Sequence, residues 1–226
     1  FTNIFTDTVI VSMILIMFSY LVYLTIKRKI DSNTFIIIML SLGFLIRLLY
    51  ISYTPYYIRQ NDSYKLGVNG GHLYYIEYFF NNFIKIPDFD PSSVWQFYHP
   101  PFHHIVSAVW MKINALFGLS YERIVENIQV LTMLYSTLIT IVAHKILVEL
   151  NIKEKIINCV FPIVVFHPHL IILSGSINND VLSILLMFLS ILYVLKWYKS
   201  STLKNILLVS LFISLGCLTK FSSILV

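Results

Sequence analysis

Residues 34–53 read TFIIIMLSLGFLIRLLYISY, an apolar run whose one charge is Arg47. A bilayer's hydrocarbon core, about 30 Å thick, is crossed by roughly 20 apolar residues of helix. This stretch has that length, and its neighbours repeat it. Runs of the same character occupy 8–26, 124–147, 156–173 and 181–197, and a sixth begins near Leu203 and continues to the end of the chain. All are rich in Ile, Leu, Phe and Val without strict alternation, which fits helices and not barrel strands. The expected fold is therefore all-α, a polytopic transmembrane helical bundle of about six spans.

Composition agrees. Of 226 residues, 58% are hydrophobic, 15% aromatic and 12% charged, with a mean hydropathy of +0.78. Soluble domains carry about 25% charged residues to cover their wetted surface. These figures exclude aqueous enzymes, disordered chains, collagen-like fibres and disulfide scaffolds. The net charge of +5 comes from 16 Lys and Arg against 11 Asp and Glu. It forms no contiguous basic stripe, so it reads as basic cytoplasmic loops, with no nucleic-acid partner. Cys159 and Cys217 lie inside apolar runs and read as free thiols facing the bundle. No cleavable signal pattern is visible. The chain begins at Phe1 and stops at Val226 inside an apolar run, so a longer parent protein is expected.

Basic residues orient the spans. Lys27, Arg28 and Lys29 follow the first; Lys145, Lys153 and Lys155 flank the turn at Asn151; Lys196, Lys199 and Lys204 follow the fifth. Placing all three clusters in the cytoplasm puts loops 54–101 and 174–180 outside. The segment 102–119 is short and carries His103, His104, Lys112 and Asn114. It reads as a partly inserted or interfacial helix.

Loop 54–101 is the long connection, and such connections in compact proteins tend to be functional. It holds Arg59-Gln60-Asn61-Asp62, the glycines 67, 70 and 71, an amphipathic stretch over 72–84 with Tyr74, Tyr75, Phe79 and Phe83, and Tyr98-His99-Pro100-Pro101. Aromatics beside a membrane suit the headgroup region. The glycines lack the following Gly-Lys-Ser/Thr of a P-loop and read as a flexible turn. Asp62 and Asp180 stand out as acids at the outer surface. Either could cap a helix. Converging on one aqueous cleft, a partly desolvated carboxylate could instead take a proton from a hydroxyl. Lys220 sits roughly 24 Å along a helix rising from Lys204 and is costly at membrane depth unless an acid or an anionic headgroup meets it. Arg47 poses the same question with a stronger structural reading. His99, rigidly placed before two prolines, is a functional candidate, whereas His103 and His104 read as interfacial side chains. His167-Pro168-His169 lacks a third ligand at metal-site spacing, and its proline reads as a helix distortion.

Taken in order, these elements resemble the membrane glycosyltransferases of the GT-C superfamily. The nearest likeness is the branch of dolichyl-phosphate-mannose protein mannosyltransferases and the aminoarabinose transferase. The resemblance rests on the outer-loop acid in Arg59-Gln60-Asn61-Asp62, on Gly71-His72 and Tyr75, on Tyr98-His99-Pro100-Pro101-Phe102, on Pro168, Ser174 and Gly175, on Asn178-Asn179-Asp180, and on Lys220. It covers about 34–226, the N-terminal part of a catalytic module, with 1–33 forming a preceding span and basic turn. Relatives often carry two adjacent acids where this chain has Asn61-Asp62-Ser63.

The resemblance implies inverting transfer of a mannose-type or similar sugar from a polyprenyl- or dolichyl-phosphate donor to an acceptor hydroxyl at the outer or lumenal face. The acceptor would be a protein, glycan or lipid. The compartment would be the plasma membrane of a bacterium or the endoplasmic reticulum of a eukaryote. By the same likeness Asp62 is the general base and Asp180 shapes the cleft or, in metal-using relatives, holds a divalent cation. His99, Lys220 and Arg59 contact the donor phosphate, and the site residues include no firm metal ligand set. Two rival readings stand beside it: a secondary transporter or lipid flippase, and a non-catalytic lipid-binding membrane subunit.

Overall fold

The computed structural model describes residues 16, 19–20, 23–24, 27, 29–57, 70–83 and 85–225. Most of the expected span 8–26, and the loop residues 58–69 that include Arg59 and Asp62, lie outside them. The described chain is all-helical: α1 (Ser32–Tyr53), α2 (His72–Asn82), α3 (Phe102–Leu116), α4 (Tyr121–Glu126), α5 (Ile128–Glu149), α6 (Glu154–Val165), α7 (Pro168–Leu173), α8 (Asp180–Lys199) and α9 (Leu203–Cys217), with 3-10 turns at Pro91–Ser93 and Phe221–Leu225. Among the described residues, three helical stretches are long and apolar enough to cross a membrane: Ser32–Tyr53, Tyr121–Glu149 and Asp180–Lys199. Leu203–Cys217 is apolar but shorter.

α1 begins where the Asp31 carboxylate accepts the Thr34 amide at 2.9 Å, satisfying one of the helix's unpaired N–H groups. Every fourth residue then faces inward, giving a buried stripe of Phe35, Met39, Gly43, Arg47 and Ile51. Ile37 and Leu49 on the opposite side are 63% and 57% exposed. An apolar helix with only one face buried in protein needs an apolar medium on the other, which is the arrangement of a bundle periphery in lipid. Gly43 lets α6 approach, since a Cβ there would lie 2.4 Å from Val165 Cγ1.

α5 and α8 run parallel. Near their starts Gln129 and Thr132 of α5 bond the segment leading into α8, and at their far ends the Glu149 carboxylate pairs with Lys199 at 3.1 Å. α9 returns antiparallel along α8, and their close packing places Gly216 beside Leu186. α3 begins and ends at one end of this bundle. The Phe102 amide donates to Leu218 O just past α9, and Asn114 meets Asn127 at the start of α5. That geometry agrees with a helix lying along the bundle end.

Three expectations need correcting. Segment 156–173 is not one helix. It breaks into α6 and α7 at Phe166 and His167, because Pro168 has no N–H to continue the ladder and holds His167 extended at φ −58°, ψ 118°. Lys220 is not within a span, for α9 ends at Cys217 and the lysine sits in the turn beyond it. Cys159 is exposed on α6 and does not face the bundle.

Candidate active site

The Asp180 end of the bundle is built from a segment whose backbone leaves its own hydrogen-bond ladder. Between α6 and α8, carbonyls released by the break must find donors, since an unpaired buried carbonyl costs about 1–3 kcal/mol. Side chains from neighbouring helices supply them. Arg47 donates through Nη1 to Val165 O at 3.1 Å and through Nε to Ser136 Oγ at 2.8 Å, and Ser136 in turn donates to Leu170 O at 2.8 Å. Thr132 takes Ser174 O at 3.0 Å, and Gln129 takes both Gly175 O at 2.8 Å and Thr54 O at 2.9 Å. His103 Nε2 takes Ile177 O at 3.2 Å. Arg47 thus works inside an apolar helix as a structural cation, 1% exposed, with peptide carbonyls and a hydroxyl for partners.

This scaffold fixes the turn that carries the acid. Asn179 Nδ2 donates to Thr219 O at 2.8 Å, and Asn178 Oδ1 accepts the Asp180 amide at 3.2 Å. Asp180 opens α8, where a carboxylate is favoured by the N-terminal dipole. Its carboxylate faces the Lys220 ammonium, and the two form an ion pair. Their side chains are 32% and 30% exposed. The polar groups that build the turn are almost wholly covered, with Gln129 and Asn179 at 1% and Thr219 at 0%. The ion pair is therefore the part of this assembly that meets solvent.

Four imidazoles stand beside it. His72, the first residue of α2, stacks on His104 with ring centroids 5.2 Å apart and on His99 at 5.5 Å. His72 Nδ1 and His104 Nε2 are 2.9 Å apart, so one of them carries the proton between them. His103 packs edge-on to His104 at 5.4 Å. His72, His103 and His104 are buried, and burial pushes each below the ordinary imidazole range, His103 to about 4. Neighbouring groups act second: His103, His99 and Lys220 further disfavour a charge on His72, while the Ile177 carbonyl and Asp180 partly offset the fall at His103. At neutral pH these three rings are uncharged. With His103 neutral and donating to a carbonyl, its proton sits on Nε2.

An aromatic wall closes the far side. Tyr75 stacks on His104 at 4.3 Å and on Phe97 at 4.1 Å. Burial lifts the Tyr75 phenol to about 12, so it stays protonated. The glycines before α2 form a clasp instead of a flexible turn. Gly70 and Gly71 adopt φ +120° and +123°, and the Gly71 amide bonds Trp95 O at 2.9 Å. A Cβ on Gly70 would lie 2.4 Å from that same oxygen. The clasp draws loop 91–101, and with it His99, against α2.

Of the five candidate residues, the structure describes His99, Asp180 and Lys220 and brings them to one end of the bundle. Arg59 and Asp62 lie outside the described residues. His103 and His104 are not interfacial. Both are fully buried, because α3 turns its first turn inward against α2 and the 174–180 segment. Sequence reasoning also gave His72 no role beyond the resemblance; a histidine following two glycines and opening an aromatic helix was the available signal. His167, by contrast, is exposed at the helix break. Among the described residues, the donor set does not fit a divalent cation. Asp180 is already paired with an ammonium, the facing nitrogens of His72 and His104 are taken up by their hydrogen bond to each other, and no group of three or more His, Cys, Asp or Glu among the described residues is arranged to hold a metal ion. Comparison of the chain with protein-family models, with curated proteins and with solved structures finds no match.

Proposed function

We propose that the chain is a multi-pass membrane glycosyltransferase, of about six spans, that moves a sugar from a polyprenyl-phosphate carrier to an acceptor hydroxyl at the non-cytoplasmic face. The observation that carries this reading is the meeting of Asp180 and Lys220, 40 residues apart in sequence, as a pair about one-third exposed, with Lys220 bearing on His72, the ring on which His99 stacks. Asp62 takes the acceptor's hydroxyl proton as that oxygen attacks the anomeric carbon. The bond from this carbon to the phosphate oxygen breaks on the opposite face, and the phosphate departs with the electron pair. Lys220 and His99 stabilise that developing charge, an interaction stronger in the transition state than in the ground state.

The test is transfer by the full-length protein in proteoliposomes from a panel of labelled polyprenyl-phosphate sugars. Asp62→Asn lowers turnover by about a hundredfold or more while leaving the folded yield unchanged. Unchanged turnover overturns the assignment.

The broken helix α6–α7 favours a second reading, because transporters use such breaks to form sites near the membrane midplane. Here the break sits near the Asp180 end, and its carbonyls are occupied by Arg47, Ser136, Thr132, Gln129 and His103 instead of facing a pathway. Substrate uptake without sugar transfer in the same proteoliposomes would favour the transporter.

A further inference from the structure

The Asp180–Lys220 pair has an unusual combination of properties. Its two backbones are held separately from the pair itself. The Lys220 amide bonds Gly216 O at 2.9 Å, the neighbouring Thr219 carbonyl is held by Asn179, and Ser183 and Ser223 meet through their hydroxyls at 2.8 Å, tying α8 to the turn after α9. Separating ammonium from carboxylate therefore requires two side-chain rotations and no movement of helices. Both side chains are about one-third exposed, so water or a ligand headgroup can reach either charge. A pair in that setting is weakly held, because solvent screens the attraction and two flexible side chains are restrained to maintain it.

The surroundings restrict what can replace Asp180. Among the described residues, Lys220 has no second salt-bridge partner. Among the described residues, Lys220 bears electrostatically on His72 and Asp180 on His103. Both rings are buried and uncharged at neutral pH. An arriving anion thus meets one compensated cation and no competing charge from the rings.

We infer that Asp180 and Lys220 form an exchangeable pair, in which a phosphate-ester oxyanion takes the Lys220 ammonium and releases the Asp180 carboxylate toward the cleft. This rests on the reading of the site as a lipid-phosphate site and adds a condition to it. Asp180 occupies the anion position in the unliganded protein, so neutral lipids cannot displace it. It then becomes available to accept a hydrogen bond from an incoming hydroxyl once the phosphate is seated. Loading of the two substrates is ordered by one proton-free exchange of partners.

The exchange is tested on the full-length protein in nanodiscs of neutral lipid, by titrating farnesyl phosphate and reading binding calorimetrically. Asp180→Asn, which keeps the shape and removes the competing charge, binds about fivefold more tightly than wild type. Lys220→Ala binds about tenfold or more weakly, and in its background Asp180→Asn has no further effect. Lys220→Arg retains binding and checks that the position tolerates substitution. Equal or weaker binding by Asp180→Asn, with Lys220→Ala still impaired, overturns the exchange and leaves the phosphate site standing. Unimpaired binding by Lys220→Ala overturns the site itself. Inorganic phosphate is run as a competitor. Displacement of farnesyl phosphate only at a large excess supports a lipid-borne ligand, and displacement at equal concentration overturns the lipid as the source of the phosphate.

Discussion

Burying His103 in its neutral form makes stability depend on pH. Its folded value lies near 4 against an ordinary value near 6.5, so in the window between them the unfolded chain binds the proton that the folded chain refuses. The contribution is fully present above about pH 6.5 and is lost as pH falls toward 4, by at most about 1.4 kcal/mol per pH unit. His72 and His104 are pushed in the same direction and steepen the fall. Thermal unfolding in detergent therefore shows a melting temperature that drops from pH 7 to pH 5. His103→Gln keeps an N–H for the Ile177 carbonyl, removes one titration and flattens that slope. Gly70→Ala is the complementary test of geometry. With φ at +120° and Trp95 backbone atoms at 2.4 Å and 2.7 Å from the added carbon, it destabilises by about 1–3 kcal/mol and loosens loop 91–101 from α2. Limited proteolysis of that loop reports the change.

Helices and their breaks were legible to different degrees. Apolar runs at 34–53, 124–147 and 181–197 appear as α1, as α4 with α5, and as α8, because burial along a helix imposes a pattern that hydropathy records directly. The proline at 168 marked a distortion, but hydropathy alone ran through it and read one span where two short helices stand. What the runs could not convey is which polar residue on one helix answers which carbonyl on another. Arg47, Gln129, Thr132 and Ser136 are scattered singly through apolar sequence, and their common task exists only in three dimensions. Arg47→Met removes the donor to Val165 O and the partner of Ser136. It lowers stability by about 2 kcal/mol and raises amide exchange in 166–176 before the rest of the bundle responds. The site followed the same division. Asp180 and Lys220 were visible as isolated charges in apolar sequence, whereas their pairing and the burial of His103 and His104 depend on contacts made 40 and 74 residues away.

At the scale of the molecule, the helices sort the chain into two ends. One carries Thr54, Gln129, Asp180 and Lys220 together with both ends of α3; the other carries Glu149, Lys199 and the turn at Ser200. Labelling by an impermeant thiol reagent reads this arrangement in a cysteine-free background. Tyr98→Cys and Tyr121→Cys react from the outer side, and Ser201→Cys reacts only after the membrane is opened. Reaction of all three from one side contradicts a membrane-crossing bundle. The two ends also differ in how firmly they are joined. Around the 174–180 turn, hydrogen bonds link the end of α1 at Thr54, α3, α5 and the segment after α9. At the opposite end, the polar ties between helices among the described residues are Glu149 to Lys199 and Ser32 to Asn158. On warming, the helices will splay first at the lightly tied end, while the crowded end keeps its form until the whole bundle melts. Whatever motion the proposed transfer demands falls, then, to side chains such as Asp180 and Lys220, since the helices around that pair behave as a rigid collar.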